Sequence, residues 1–339
     1  MRCLRLNRLY PLSFIPLFKE KIWGGRRFES WFPVIPDGPI GEAWVLSAHP
    51  HGLTPTENGY LANKTIPELL TEYGEDVIGK AWADQDYSDP PQCCKFPLLI
   101  KLLNSNDDLS VQVHPGEEYA ATHLEASAKS EMWLVLEADP GASIVYGLKE
   151  GIGPREFAEA AKSGSVMDYL NEVQVSAGDV IAIPPGTIHA LGAGLVVAEV
   201  QQSSDTVYRI WDYNRPGLDG KPRELHIDQA LEVIDYSRPP EITQPKMASP
   251  NSGVSIGSFA GFDVQLARCC GRWERRPSPS SFTAFLFLGG TGEVAWGEDE
   301  RAHISVRPGS SVLIPASCPD YALRSVSSDL VFLEVSRAL

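Results

Sequence analysis

The feature that most restricts how this chain can fold is a twelve-residue string that occurs twice. Gly178-Asp-Val-Ile-Ala-Ile-Pro184-Pro-Gly186-Thr-Ile-His189 matches Gly309-Ser-Ser-Val-Leu-Ile-Pro315-Ala-Ser317-Cys-Pro-Asp320 in spacing throughout. Each copy reads as a turn glycine, a short apolar strand and a proline-led turn. Upstream, each copy has a strand pair that ends in an aromatic and a glycine, Tyr146-Gly147 in one and Trp296-Gly297 in the other. The distance to the repeated string is 31 residues in the first copy and 12 in the second, a difference of 19. That excess is nearly the length of the helical patch Gly153–Leu170, so the first copy reads as the second with a helix inserted between two strands. The pattern predicts a mainly β protein of two related barrels, the first decorated with helical segments.

The rest of the chain fits that frame. Its 339 residues suffice for about two domains of ordinary size. With Gly 29 and Pro 27, about one residue in six favours turns over long helices. Strands are expected at Phe96–Asn104, Leu109–Pro115, Glu131–Glu137, Ser143–Gly147, Val180–Ile183, Leu195–Gln202 and Thr206–Tyr213. Helical periodicity is confined to Ile66–Gly79 and Arg155–Leu170, which places helical insertions at about 64–80 and 153–171. The proline-rich segment Ser237–Ser252 reads as a linker, and Thr283–Leu288, Gly292–Trp296, Ser311–Ile314 and Leu330–Val335 as strands beyond it. The expected division is a first, decorated domain over 1–240 and a degenerate copy of it over 241–339.

A formal charge of −15 argues against nucleic-acid or anionic-membrane partners, which need a basic face. It does not exclude a small anionic substrate, because local cations outweigh a distant field screened within about 10 Å. Cys3, Cys93, Cys94, Cys269, Cys270 and Cys318 include no C-x-x-C and no disulfide framework, as expected of reduced thiols. No apolar run approaches a membrane span. Arg2, Arg5 and Arg8 before Leu9–Phe18 faintly imitate a signal peptide, but Pro11 and Pro16 interrupt it and Lys19-Glu20-Lys21 ends it. A cytoplasmic protein, monomeric or a small homo-oligomer, is the expectation.

The pattern G-x5-P-x-G-x2-H over Gly178–His189 resembles the second motif of the cupin superfamily, whose jelly-roll barrels often hold a metal. In the second copy Asp320 stands where His189 does, as in a barrel that kept its fold and lost its metal. In Leu109-Ser-Val-Gln-Val-His114, period two puts Ser110, Gln112 and His114 on one face of a strand and Leu109, Val111 and Val113 on the other. A polar stripe inside a barrel is costly unless its members have partners. Glu131 opens the next strand and His189 follows a Pro-Pro-Gly turn. Gln112, His114, Glu131 and His189 therefore offer one amide oxygen, two imidazoles and a carboxylate, a set suited to one zinc or another first-row divalent ion. Taken singly, Glu131 also has an ion-pair partner in Lys129. Asp205 and Arg209, four apart on one alternating strand, allow either a salt bridge at a barrel edge or a site cation.

The strings KEKIWGG (19–25), IGEAWVLSAHPHG (40–52), LLIKLLNSNDDLSVQVHP (98–115), KSEMW (129–133), IPPGTIHALG (183–192) and EVQQSSDTVYRIWDYNR (199–215) closely resemble the type I mannose-6-phosphate isomerase family in its short bacterial form. The resemblance runs from about Tyr10 to Tyr236. It implies a zinc-dependent aldose–ketose isomerase that interconverts mannose 6-phosphate and fructose 6-phosphate through a metal-stabilised cis-enediol. It places the metal ligands on Gln112, His114, Glu131 and His189 and the catalytic arginine on Arg209. Lys101, Ser110, Lys129, Glu199 and Asp205 match family positions that line the active site. The proton-transfer base stays open among Lys101, Lys129, His114, Glu199 and Asp205, with a carboxylate or lysine favoured over a metal-bound histidine. Two other readings fit the barrel motif, another metal-cupin enzyme such as a dioxygenase and a catalytically inactive sugar-binding cupin. Gln112 and the Lys/Arg set speak against the first, and the intact ligands and Arg209 against the second.

Overall fold

The computed structural model describes residues 9–82, 96–237, 239–259 and 261–337. Cys3, Cys93, Cys94 and the N-terminal Arg2, Arg5 and Arg8 lie outside them. Contacts divide the chain into two units that interleave in sequence. One is Met1–Leu17, Trp44–Ile100 and Pro245–Leu339, and the other is Phe18–Ala43 and Lys101–Gln244.

In the Phe18–Ala43/Lys101–Gln244 unit, one sheet orders the strands Tyr208–Trp211, Val111–Val113, His189–Leu191, Ser143–Leu148 and Leu170–Gln174. A second runs Val180–Ile183, Glu131–Ala138, Leu195–Gln202 and Leu98–Ser105, with Ile40–His49 and Leu17–Gly25 beyond; the last three strands cross the unit boundary. Between the two sheets lies an apolar layer that includes Trp133, Val135, Ile144, Tyr146, Ile181 and Val197. The outer face of the first sheet is covered by the helices Pro154–Ser163 and Ile227–Val233. Val111 and Val113 enter that outer layer with Phe157, Ala161, Ile210 and Ala230. The predicted alternation therefore holds: the valines face the helices, and Gln112 and His114 turn inward.

The Pro154–Ser163 helix begins on a proline whose missing N–H costs nothing there, and buries Phe157, Ala160 and Ala161. The other expected helical patch forms Ile66–Tyr73 and Glu75–Ile78, broken at Gly74, where φ is +49. The Thr65 N–H donates to Glu68 Oε2 at 2.8 Å, the reciprocal half of a capping box. These helices fall in the unit that contains the C-terminal region. There, one sheet orders Leu12–Ser13, Ser311–Ile314, Thr283–Gly289, Leu330–Arg337, Phe262–Cys269 and Ser252–Phe259, and another orders Arg272–Arg275, Tyr321–Ser325, Gly292–Trp296 and Ala302–Val306. Phe285, Phe287, Val294, Leu323 and Phe332 fill its core.

The repeat seen in sequence is a repeat of structure. Gly178 and Gly309 both take the left-handed conformation, at φ +95 and +86. Each is followed by a four-residue strand and then by the same turn: the Thr187 N–H bonds Pro184 O at 3.2 Å, and the Cys318 N–H bonds Pro315 O at 3.0 Å. Between residues 239 and 251 the expected linker contains no helix or strand, only a bridge of Thr243 to Val180. No helix among the described residues is long and apolar enough to cross a membrane.

The strand expected over Thr206–Tyr213 is shorter, Tyr208–Trp211, because Tyr213 and Asn214 turn the chain at φ +56 and +53. Asp205 precedes that strand and is exposed, so it does not share a strand face with Arg209. The expected strand Leu109–Pro115 likewise contracts to Val111–Val113.

Candidate active site

Cross-strand register assembles the site. Arg209 lies opposite Gln112, and Gln112 opposite His189, across three neighbouring strands. Side chains directly opposite one another in antiparallel strands share a face. Arg209, Gln112 and His189 thus form one row on the inner face of the first sheet, with His114 two residues along from Gln112. On the second sheet Glu131 faces both Ile183 and Gln201, and the next inward row sets Trp133 against Ile181 and Glu199.

The Pro-Pro-Gly turn delivers His189 to its place. Gly186 has φ +82, its N–H bonds His114 O at 2.9 Å, and a Cβ there would meet Val233 O at 2.8 Å. No other residue fits without strain. His189 Nδ1 is 2.9 Å from Thr187 O, which makes Nδ1 the protonated nitrogen and leaves a lone pair on Nε2. His189 Nε2 lies 3.2 Å from Gln112 Nε2 and 3.8 Å from Glu131 Oε2. His114 Nε2 is 3.0 Å from Glu131 Oε1, and Lys129 Nζ is 2.5 Å from the same oxygen, in ion-pair range but off hydrogen-bond geometry. Lys129 Nζ also reaches His114 Nε2 at 3.3 Å. The ligand atoms of His114, Glu131 and His189 all lie within 4.8 Å of one another, and all three residues are buried.

Burial, reinforced by Lys129, pushes the His114 imidazole down to about 3, and burial lowers His189 as well. Both are neutral and have lone pairs to give. Burial opposes the charge on Glu131, yet Lys129, His114 and His189 hold its carboxyl well below the usual range. Two neutral imidazoles and a carboxylate that converge in a dry interior are a donor set for a divalent cation. Gln112 joins them through its amide, whose oxygen a half-turn brings to the same point. The residues fit a metal.

Around this core, Lys101 Nζ pairs with Glu199 Oε2 at 3.3 Å, and both are buried. Burial and the neighbouring Glu131 raise Glu199 to about 7. Burial opposes the Lys101 charge, but Glu199, Glu42 and Glu131 raise its pKa. Arg209 Nε reaches Ser110 Oγ at 3.3 Å, and Nη1 donates to Glu224 O at 2.7 Å. Asp205 is exposed ahead of the Tyr208–Trp211 strand, and its charge acts on Lys19, which also feels Lys101. The structure therefore gathers Gln112, His114, Glu131, His189, Lys129, Lys101, Glu199, Ser110 and Arg209, whereas Asp205 stands three residues before the strand that carries Arg209. Two participants were not singled out from sequence. Trp133, visible only as the last letter of KSEMW, donates from Nε1 to Glu131 Oε2 at 3.1 Å. Glu224 holds Arg209 through a backbone carbonyl, for which no side chain signals.

Residues 12–133 match the family model of the phosphomannose isomerase type I catalytic domain. The mannose-6-phosphate isomerase of Streptococcus mutans is 38% identical over 310 residues, 90% of this chain and 92% of that protein. A crystal structure of the Bacillus subtilis mannose 6-phosphate isomerase superposes with a TM-score of 0.80 at 29% identity, covering 97% of this chain and 100% of that one. A zinc-bound mannose 6-phosphate isomerase shares the fold at a TM-score of 0.73 and 16% identity, over 98% of this chain and all of that one. The chain belongs to the type I mannose-6-phosphate isomerases, a family of isomerases with a cupin fold.

Proposed function

We propose that this chain interconverts mannose 6-phosphate and fructose 6-phosphate, with one zinc ion held by Gln112, His114, Glu131 and His189. The observation that carries the reading is the convergence of His114, Glu131 and His189, with Gln112 and Arg209 in one row, in a chain of this family. When bound, the ion supplies Lewis-acid charge to the oxygens on which negative charge develops. The isomerisation moves a proton from C2 to C1 of the open-chain sugar. Lys129 is tied to the ligand Glu131, Asp205 is exposed before its strand, and His114 turns Nε2 toward Glu131. The buried Lys101–Glu199 pair is left for proton transfer, with Glu199 as the base that takes the C2 proton and returns it to C1.

Arg209 presents a guanidinium already fixed by Ser110 and Glu224 O, so it meets substrate charge without reorganising. Ser110 and Lys129, with Lys101, Glu199 and Asp205, complete the substrate-facing set, and a sugar phosphate is the partner. We assign the chemistry to residues 1–240 and no metal to 241–339. The register of the second copy supports this: Thr283 faces Ile314 as Glu131 faces Ile183, and Asp320 stands in the repeated string where His189 does. Arg276 Nε and Asp320 Oδ2 form an exposed ion pair at 3.4 Å there. The free thiols of Cys269, Cys270 and Cys318 suit the reducing cytoplasm. The test is a coupled isomerase assay on mannose 6-phosphate before and after chelation. Activity that is lost with chelator and restored by zinc supports the reading, and full activity in metal-free protein ends it.

A further inference from the structure

We propose that Trp133 is a positioning residue for this site, and that its indole N–H, not its ring volume, does the positioning by tying Glu131 to Glu199. The inference rests on the reading of Glu131 as a metal ligand. Trp133 is buried and projects inward from the strand that Glu131 opens. Its Nε1 donates to Glu131 Oε2 at 3.1 Å and reaches Glu199 Oε1 at 3.4 Å, while its ring stands edge-on to His189 at 5.4 Å between centroids. One side chain therefore touches two proposed ligands and the proposed base.

An uncharged donor suits that position. It anchors Oε2 and so directs Oε1 toward His114 Nε2, without adding to Lys129 a second cation that would compete with the metal for the carboxylate. It also gives two carboxylates of like charge a shared proton donor in a dry interior, where an unpaired carboxylate oxygen is costly.

The molecule contains its own comparison. In the first copy the row reads Ile181, Trp133, Glu199; in the second it reads Val312, Phe285, Glu334. The second copy keeps a fully buried aromatic at that place and an acidic neighbour in the same register. There Glu334 is held by the Arg275 fork at 2.9 and 2.5 Å, Thr283 takes the register place of Glu131, and Asp320 takes the place of His189 in the repeated string. The packing role is thus filled by an aromatic in both copies, and the N–H is present only where there are ligands to orient.

The test uses the full chain with Trp133→Phe, and with β-(3-benzothienyl)alanine at 133, which keeps the bicyclic shape and removes the N–H. Zinc affinity is read by chelator competition, kcat and KM by the coupled assay, and apo-protein folding by thermal melting. Both variants are expected to bind zinc about 10- to 100-fold more weakly, the usual cost of removing a group that orients a metal ligand. We expect kcat to fall at least about tenfold and KM to change little, because the indole touches no substrate. The apo melting temperatures should fall by a few degrees, more for Trp133→Phe, which also leaves a void, and both apo proteins should still melt cooperatively. The proposal is overturned if the benzothienyl protein holds zinc and turns over as the parent does, whatever Trp133→Phe does, because the ring alone would then suffice. A parent protein that takes up no zinc removes the metal reading and this one together; a zinc-dependent parent with indifferent variants removes only this one.

Discussion

Replacing Arg209 with lysine separates a charge that acts in the reaction from one that holds the sheet together. The backbone of Arg209 is fastened independently of its side chain, because the His226 N–H bonds Arg209 O at 2.8 Å, and lysine keeps that bond. The side chain makes two further bonds, from Nε to Ser110 Oγ at 3.3 Å and from Nη1 to Glu224 O at 2.7 Å. A lysine ammonium is a single point and cannot satisfy both while facing the substrate. The folding loss is chiefly the Glu224 bond. A charge-assisted bond contributes roughly 1.5–3 kcal/mol, and recapture by the ammonium or water at a half-buried site reduces that to about 1 kcal/mol. The melting temperature should therefore fall by only about 1–2 °C in a chain of this size. The catalytic loss is larger. Removing one preorganised charge donor costs on the order of 10²-fold in turnover, or about 2.7 kcal/mol of transition-state stabilisation. Zinc content should be unchanged, since Arg209 donates and cannot ligate. The assay is kcat/KM for mannose 6-phosphate beside a melting curve and metal analysis of the same preparation. If Arg209→Lys keeps near-normal turnover, or if the protein unfolds as badly as after a core deletion, Arg209 is a structural residue and the assignment is wrong.

Three further outcomes follow from the same geometry. Zinc at 100 times its dissociation constant should stabilise the chelated protein by about 2.7 kcal/mol; His189→Ala should abolish the shift, and calorimetric scans that coincide with and without zinc would contradict the metal site. Gly186→Ala places a Cβ 2.8 Å from Val233 O at φ +82, so denaturant titration should show a loss of roughly 1–3 kcal/mol, and weaker zinc binding should accompany it because this turn sets His189. An unchanged midpoint would show that the turn can relax. Asp320→Ala should leave both metal content and stability nearly untouched, because the Arg276–Asp320 pair is exposed on both sides; loss of a second bound ion would refute a metal-free second copy.

What could be read from the chain before its structure was whatever is written locally. Val180–Ile183, Leu195–Gln202, Gly292–Trp296 and Ser311–Ile314 have the bounds expected of them, because apolar β-branched runs between glycine and proline turns leave the backbone few alternatives. The Ser252–Phe259 and Phe262–Cys269 hairpin was not expected. Its first strand is serine or glycine at five of eight positions and owes its conformation to pairing with a partner already in the sheet. The Ile227–Val233 helix is seven residues long, too short to stand on propensity, and forms because Ala230 and Ile234 are drawn into the layer over the first sheet.

The site divides along the same line. Gln112 and His114 declare themselves by period two on one strand, and His189 by the turn before it. The same local logic fails for the alternation of Asp205 with Arg209, because the strand begins only at Tyr208. Arg209 is more instructive. Four residues from Asp205 in sequence, it takes its partners from Ser110, 99 residues away, and from the carbonyl of Glu224. Trp133 meets Glu199 across 66 residues, through a register that no short window contains. Ligand identity is thus a local property here, legible in motifs, whereas ligand orientation belongs to the pairing of distant strands. An alteration of that pairing should weaken metal binding while every ligand residue remains in place. The shift of register between Val196 and Val197, on the strand that sets Glu199 against Trp133, is therefore as much a part of the site as the residues that touch the metal.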